Sequence, residues 1–132
     1  MAGKMKLLIA EDEPDIRLGL KLQLEARGYE VLEAGDGVEA LAMVEKHDPD
    51  VVILDLMMPK KDGYAVVAEL KQQPKWRPVI LVSALNDTRD VLKGYKHEAD
   101  YYITKPYKIE KLIEGIKVMA SLIPIRRQQN NI

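Results

Sequence analysis

The sequence predicts an α/β fold built on a parallel sheet. Four short runs carry that expectation: Lys6–Ala10 (KLLIA), Val51–Leu54 (VVIL), Val79–Val82 (VILV) and Tyr101–Thr104 (YYIT). Each is aliphatic or β-branched and nearly continuous instead of alternating, which suits strands buried on both faces. Stretches long enough for helices separate the runs, and that alternation calls for right-handed crossovers between parallel strands. The third observation is what directly follows each run: Glu11-Asp12-Glu13, Asp55, Ser83 and Lys105-Pro106, in that order.

Along the chain, the stretch from Pro14 to Gly28 is the hardest to assign. Ile16, Leu18, Leu20, Leu22 and Leu24 alternate with other residues, as a strand would. The segment is nevertheless long, rich in helix formers, opened by Pro14 and closed by Gly28, and a helix is predicted. Glu30–Leu32 is a weaker fifth strand. Gly35-Asp36-Gly37 reads as a turn and helix cap. The following helix is expected to group Val38, Leu41 and Ala42 on one face. Two more segments group Tyr64, Val67, Ala68 and Val91, Leu92, Tyr95. The last helix spans roughly Ile109–Leu122, with Ile109, Leu112, Ile113, Ile116 and Ala120 on one side, and Pro124 is expected to stop it. The expected organisation is one domain over residues 1–123 and a polar, flexible tail over residues 124–132.

Composition narrows the function. The chain has 132 residues, the size of one domain, with 20 basic and 21 acidic residues and a net charge of −1. No global field steers it toward nucleic acid or anionic lipid, so no direct nucleic-acid binding and no membrane insertion are expected. The absence of cysteine excludes disulfides, thiolate metal sites and cysteine nucleophiles. The N-terminal segment lacks the apolar length and cleavage site of a signal peptide, so a cytoplasmic location is expected. His47, His97 and Trp76 read as surface or loop residues, and the six methionines as scattered core filler.

In a parallel sheet all carboxyl ends lie along one edge, where open α/β sheets bind ligands. Carboxylates, a hydroxyl and an ammonium would meet there. Acids from two strands repel each other, increasingly so as water is excluded. Lys105 offsets part of that repulsion, and a hard divalent cation suits the remainder: carboxylates plus water fit Mg²⁺. No His or Cys lies in these segments, which disfavours zinc. An Asp carboxylate in such a pocket is a nucleophile toward phosphorus, forming an aspartyl-phosphate.

Glu11-Asp12, Asp55 with Met58-Pro59 and Gly63, Ser83-Ala84 and Lys105-Pro106-Tyr107 together resemble the signature of the response-regulator receiver family, over roughly Met5 to Leu122. VVILDLMMPKKDG (Val51–Gly63) is the most diagnostic segment. The resemblance implies a flavodoxin-like five-stranded parallel sheet in the order 2-1-3-4-5, with about five helices on both faces. It implies Asp55 as phosphoacceptor, Asp12 as direct Mg²⁺ ligand, Glu11 acting through metal-bound water, and the Met57 carbonyl as a further ligand. Lys105 would pair with the phosphoryl group through a Lys-Pro bond that is usually cis in the family. Ser83 would hydrogen-bond a phosphoryl oxygen, and Tyr102 matches the aromatic that turns inward with it. Three departures keep every functional group: Glu98 where Gly is frequent, Ser83 for Thr, and Glu11 for Asp.

Each motif alone has an ordinary explanation. Glu-Asp-Glu suits a solvated helix start, Ser83 a cap, Lys-Pro a loop and Tyr102 a core or edge aromatic. Their joint occurrence at four ordered strand ends favours a phosphorylated switch that is not a turnover enzyme. Its expected partners are a sensor histidine kinase or phosphotransfer protein and an unknown downstream protein or output domain. A pseudo-receiver that binds partners without modification is the alternative. A haloacid-dehalogenase-like phosphatase would need an acid two residues after its nucleophile, where Met57 cannot donate a proton. No Walker motif supports a nucleotide-binding protein. With Met57 and Leu85 both apolar, the resemblance implies an unassisted hydrolytic water and a long-lived phosphoryl group. The chain is expected to be a stand-alone receiver or a fragment of a longer regulator. Dimerisation through the last helix is a further option, although Glu110, Lys111 and Gly115 do not reproduce the basic pattern of the commonest dimerising subfamily.

Overall fold

Strands β1 (Lys6–Ala10), β2 (Glu30–Ala34), β3 (Val51–Asp55), β4 (Val79–Ala84) and β5 (Tyr101–Lys105) form the sheet. All are parallel, in the order β2-β1-β3-β4-β5, as expected. This computed structural model describes residues 3–84 and 99–130. Four helices are described: α1 (Pro14–Glu25), α2 (Gly37–His47), α3 (Gly63–Lys71) and α4 (Ile109–Asn130). The expected helix around Val91, Leu92 and Tyr95, and also Leu85 and His97, lie outside the described residues.

Two apolar clusters cover the two faces of the sheet. Leu8, Val52, Leu54 and Leu81 pack with Ala40 and Val44 of α2 and with Val66, Val67 and Leu70 of α3. Leu7, Ile9, Val51, Ile53 and Ile80 pack on the other side with Leu24 of α1 and Leu112, Ile116 and Met119 of α4. Successive strand residues thus feed opposite cores, which is why the runs are continuous and apolar.

The leucine alternation of α1 is overridden by topology. β1 and β2 are parallel neighbours, and a parallel pair needs a crossover, here a helix. Helical spacing turns Leu24 inward and leaves Leu18 and Leu22 exposed. The inward stripe of α2 differs from the expected one. Gly37, Ala40 and Val44 are buried, Leu41 packs against their cluster, and Val38 is exposed. At its first residue the helix lies close to the loop after β3. A Cβ on Gly37 would come within 2.0 Å of the Lys61 carbonyl oxygen. Asp36 caps this helix by accepting from the Glu39 amide at 2.8 Å, as expected.

The expected stop at Pro124 is corrected. Helix α4 runs through Pro124 to Asn130. Proline removes one helix hydrogen bond, and contacts on both sides of it compensate. Leu122 and Ile123 reach the core, and the Arg127 Nε donates to the Trp76 carbonyl at 3.0 Å. The Arg126 guanidinium lies 5.3 Å from the Trp76 ring centre, within cation–π range. Trp76 is therefore a buried anchor for the helix end.

Candidate metal and phosphoryl site

Strand ends place the polar groups. Asp55 and Lys105 are the last residues of β3 and β5, Ser83 is the penultimate residue of β4, and Glu11 follows β1 directly. Register does the rest: Asp55 pairs with Val82, and Ser83 with Thr104. The β-sheet therefore brings sequence-distant side chains to one rim.

Glu11, Asp12 and Asp55 each present a carboxylate oxygen, and all three lie within 4.8 Å of one another. Glu11 is 4 % exposed and Asp55 9 %, while Asp12 faces solvent. The Lys105 Nζ donates to Asp55 Oδ2 at 2.7 Å and stands 3.6 Å from Glu11 Oε1. The Met57 amide donates to Asp55 Oδ1 at 3.0 Å, so the Met57 peptide borders the acid, while its side chain is exposed. The Lys105–Pro106 peptide is cis.

Charge at this rim is under-compensated. Burial first, then the charge of Asp55 and a hydrogen bond with Asp12, push Glu11 up to about 7, against the downward pull of Lys105. For Lys105, burial works against the ammonium. The hydrogen bond and charge of Asp55, with the charge of Glu11, outweigh it and raise its pKa. Among the described residues one lysine, beside Asp55 and Glu11, meets a cluster of three carboxylates, an acidic balance that a hard divalent cation fits, and the all-oxygen donor set suits Mg²⁺.

Ser83 is buried, and its Oγ accepts from the Tyr102 hydroxyl at 2.7 Å. The aromatic and the hydroxyl expected to move together are in direct contact. Glycine at 63 permits the close turn after Asp55, since a Cβ there would lie 3.0 Å from the Leu56 Cα. Gly115 is buried against Tyr101, which removes it from any exposed dimer face.

The sequence did not single out Arg17. Its Nη1 donates to the Glu11 carbonyl at 2.7 Å, and no local pattern distinguishes it from other helix-surface arginines. An apolar groove of about 630 Å³, lined by Ile16, Leu20, Pro106, Tyr107 and Ile109, opens beside Lys105. Among the described residues no helix is long and apolar enough to cross a membrane.

Residues 7–117 match the family described as the response regulator receiver domain. The chain is 39 % identical over 129 residues to the probable transcriptional regulator ycf27 of Porphyridium aerugineum, covering 98 % of this chain and 53 % of that protein. It is 34 % identical over 116 residues to the DNA-binding dual master transcriptional regulator RpaA of Synechocystis, covering 86 % and 48 %. Among solved structures it is similar to the receiver domain of the Francisella response regulator 1452, with a TM-score of 0.83 and 35 % identity over 89 % of this chain and 98 % of that one. The chain spans about half the length of the curated relatives it matches. The expectation of no direct nucleic-acid binding is corrected here, because relatives include proteins named as DNA-binding and transcriptional regulators. A net charge of −1 describes these 132 residues alone and carries no information about the half of each relative that lies outside the match.

Proposed function

The chain belongs to the response regulator receiver family, and from that premise we propose that it is a phosphoacceptor switch of a two-component or phosphorelay system, with Asp55 as the modified residue. The supporting observation is the single ammonium of Lys105, bonded to Asp55 and standing beside Glu11.

A phosphohistidine on a sensor kinase or phosphotransfer protein is the donor. An Asp55 carboxylate oxygen attacks phosphorus. The O–P bond forms as the P–N bond breaks, and the imidazole nitrogen keeps the electron pair and takes up a proton. Glu11, Asp12, Asp55 and the Met57 carbonyl would hold Mg²⁺, which would supply positive charge for the phosphoryl oxygens. Lys105 leaves the free carboxylate for a phosphoryl oxygen, and preorganised positive charge lowers the barrier. The phosphoryl group ends on the protein's own Asp55, so the chemistry is modification and slow self-dephosphorylation without turnover of an external substrate.

The new dianion then draws the Ser83 hydroxyl, and Tyr102, bonded to it, moves in concert. The surface around Tyr102 thereby reports the state of Asp55, a two-state equilibrium biased by local charge. In the protein as a whole, this surface governs a DNA-binding output region like those for which the relatives are named. A cytoplasmic location fits that role. Residues 1–123 constitute the switch, and residues 124–130 continue its last helix.

Incubation with acetyl- or carbamoyl-phosphate and Mg²⁺ tests the proposal. Intact mass should show one phosphoryl group on the unaltered protein and none on Asp55→Asn. No labelling of the unaltered protein, or undiminished labelling of Asp55→Asn, would favour a binding module that works unmodified.

A further inference from the structure

We infer that Arg17 is a positioning residue for the cation site: it grips the main chain of Glu11 and thereby sets where the acids after β1 meet Asp55. The inference rests on the metal reading above.

Two hydrogen bonds hold the Glu11 residue, one at each end. Its amide donates to the Ala34 carbonyl at 3.0 Å, and its carbonyl accepts from Arg17 Nη1 at 2.7 Å. Arg17 is in turn fixed from the side: its Nε donates to Glu33 Oε1 at 3.3 Å, and its side chain is 20 % exposed. Glu33 also accepts from Lys21 Nζ at 3.4 Å, so two cations of α1 hold it on the β2 end of the sheet. Gly35 leaves room for the guanidinium, since a Cβ there would stand 3.3 Å from Nη1.

The planar guanidinium can serve a carbonyl and a carboxylate in one fixed arrangement, and a lysine, as a point donor on a flexible stem, cannot reproduce it. Charge alone gives the opposite expectation. A positive group near a cation site weakens cation binding, so removing Arg17 would tighten it. Glu33, shared with Lys21, offsets part of that charge, and Arg17→Lys holds it constant. What remains is geometry, and a small hard cation with strict octahedral demands is sensitive to where Glu11 and Asp12 stand.

Mn²⁺ is the probe, titrated into the full chain stripped of metal, with free ion counted by electron paramagnetic resonance. Arg17→Lys, which keeps the charge, should raise the Mn²⁺ dissociation constant roughly tenfold, in the range usual for residues that orient ligands. Arg17→Met should do the same or more, and Gly35→Ala should act in the same direction but less. Trp76, on the opposite rim, reports that each variant is folded at the temperature used. A purely structural role would shift the unfolding midpoint and leave the folded protein's Mn²⁺ affinity unchanged. Arg17→Lys binding as the unaltered chain does, or Arg17→Met binding more tightly, would overturn the inference alone. Absence of Mn²⁺ binding to the unaltered chain would overturn the metal reading and this inference with it.

Discussion

Replacing Glu11 with Gln should make the metal-free protein more stable at alkaline pH, although it damages the cation site. Glu11 is raised from 4.5 to about 7 by burial and by its acidic neighbours. The sign follows from proton counts. Between those two values the folded chain holds the proton more tightly than the unfolded chain, so stability falls as pH rises through the interval. At about 1.36 kcal/mol per pH unit the full loss is about 3 kcal/mol. Solvent around exposed Asp12 screens part of the repulsion, and about half that value is the working figure. That is a sizeable share of the ~5–15 kcal/mol that holds a domain together. Gln cannot ionise and keeps the shape, so the variant should gain ~1.5 kcal/mol over the unaltered protein at pH 8 and nothing at pH 4.5. Urea unfolding with chelator present, followed by the single tryptophan, Trp76, measures both. A variant that is less stable at pH 8, or a difference that does not change with pH, would refute the reasoning.

Other outcomes follow from single positions. Gly37→Ala puts a methyl group into the Lys61 backbone and should lower stability by about 1–3 kcal/mol, read as a drop in the urea midpoint; an unchanged midpoint would contradict the close approach. Pro124→Ala restores an amide to the interior of α4 and should raise stability by about 1–3 kcal/mol, with more helical signal in circular dichroism. Met57→Asn adds a polar side chain at the position whose amide donates to Asp55 and should speed loss of the phosphoryl group, followed by intact mass after removal of donor. An unchanged rate would count against Met57 as a cause of slow hydrolysis.

The central strands and the site rim were legible because they depend on short patterns. Val51–Asp55 is a continuous apolar run ending in an acid, and burial on both faces leaves little room for another reading. β5, a half-buried edge strand, was legible instead by its ending, Lys105 followed by Pro106. Helix faces were harder. Val38, Leu41 and Ala42 are an apolar group by type, yet the helix buries Gly37, Ala40 and Val44, and at Gly37 the close approach to the Lys61 backbone admits no side chain. At that position size at a tight contact decided, not hydrophobicity. Pro124 was a reasonable stop by propensity, and the Trp76 anchor is a tertiary contact that no local window contains. Arg17 was invisible for the same reason: its partners Glu11, Glu33 and Gly35 are brought to it by the pairing of β1 with β2. The charge balance of the chain misled about nucleic acid because it averages over one region only.

Reduction with borohydride after incubation with acetyl phosphate converts an aspartyl-phosphate to homoserine, and peptide mass spectrometry then locates it. The account predicts homoserine at position 55 alone, only when Mg²⁺ is present. Homoserine elsewhere, or equal yield at position 55 after the divalent cation is chelated, would contradict the idea that the rim acids and Lys105 jointly prepare this carboxylate for phosphorus.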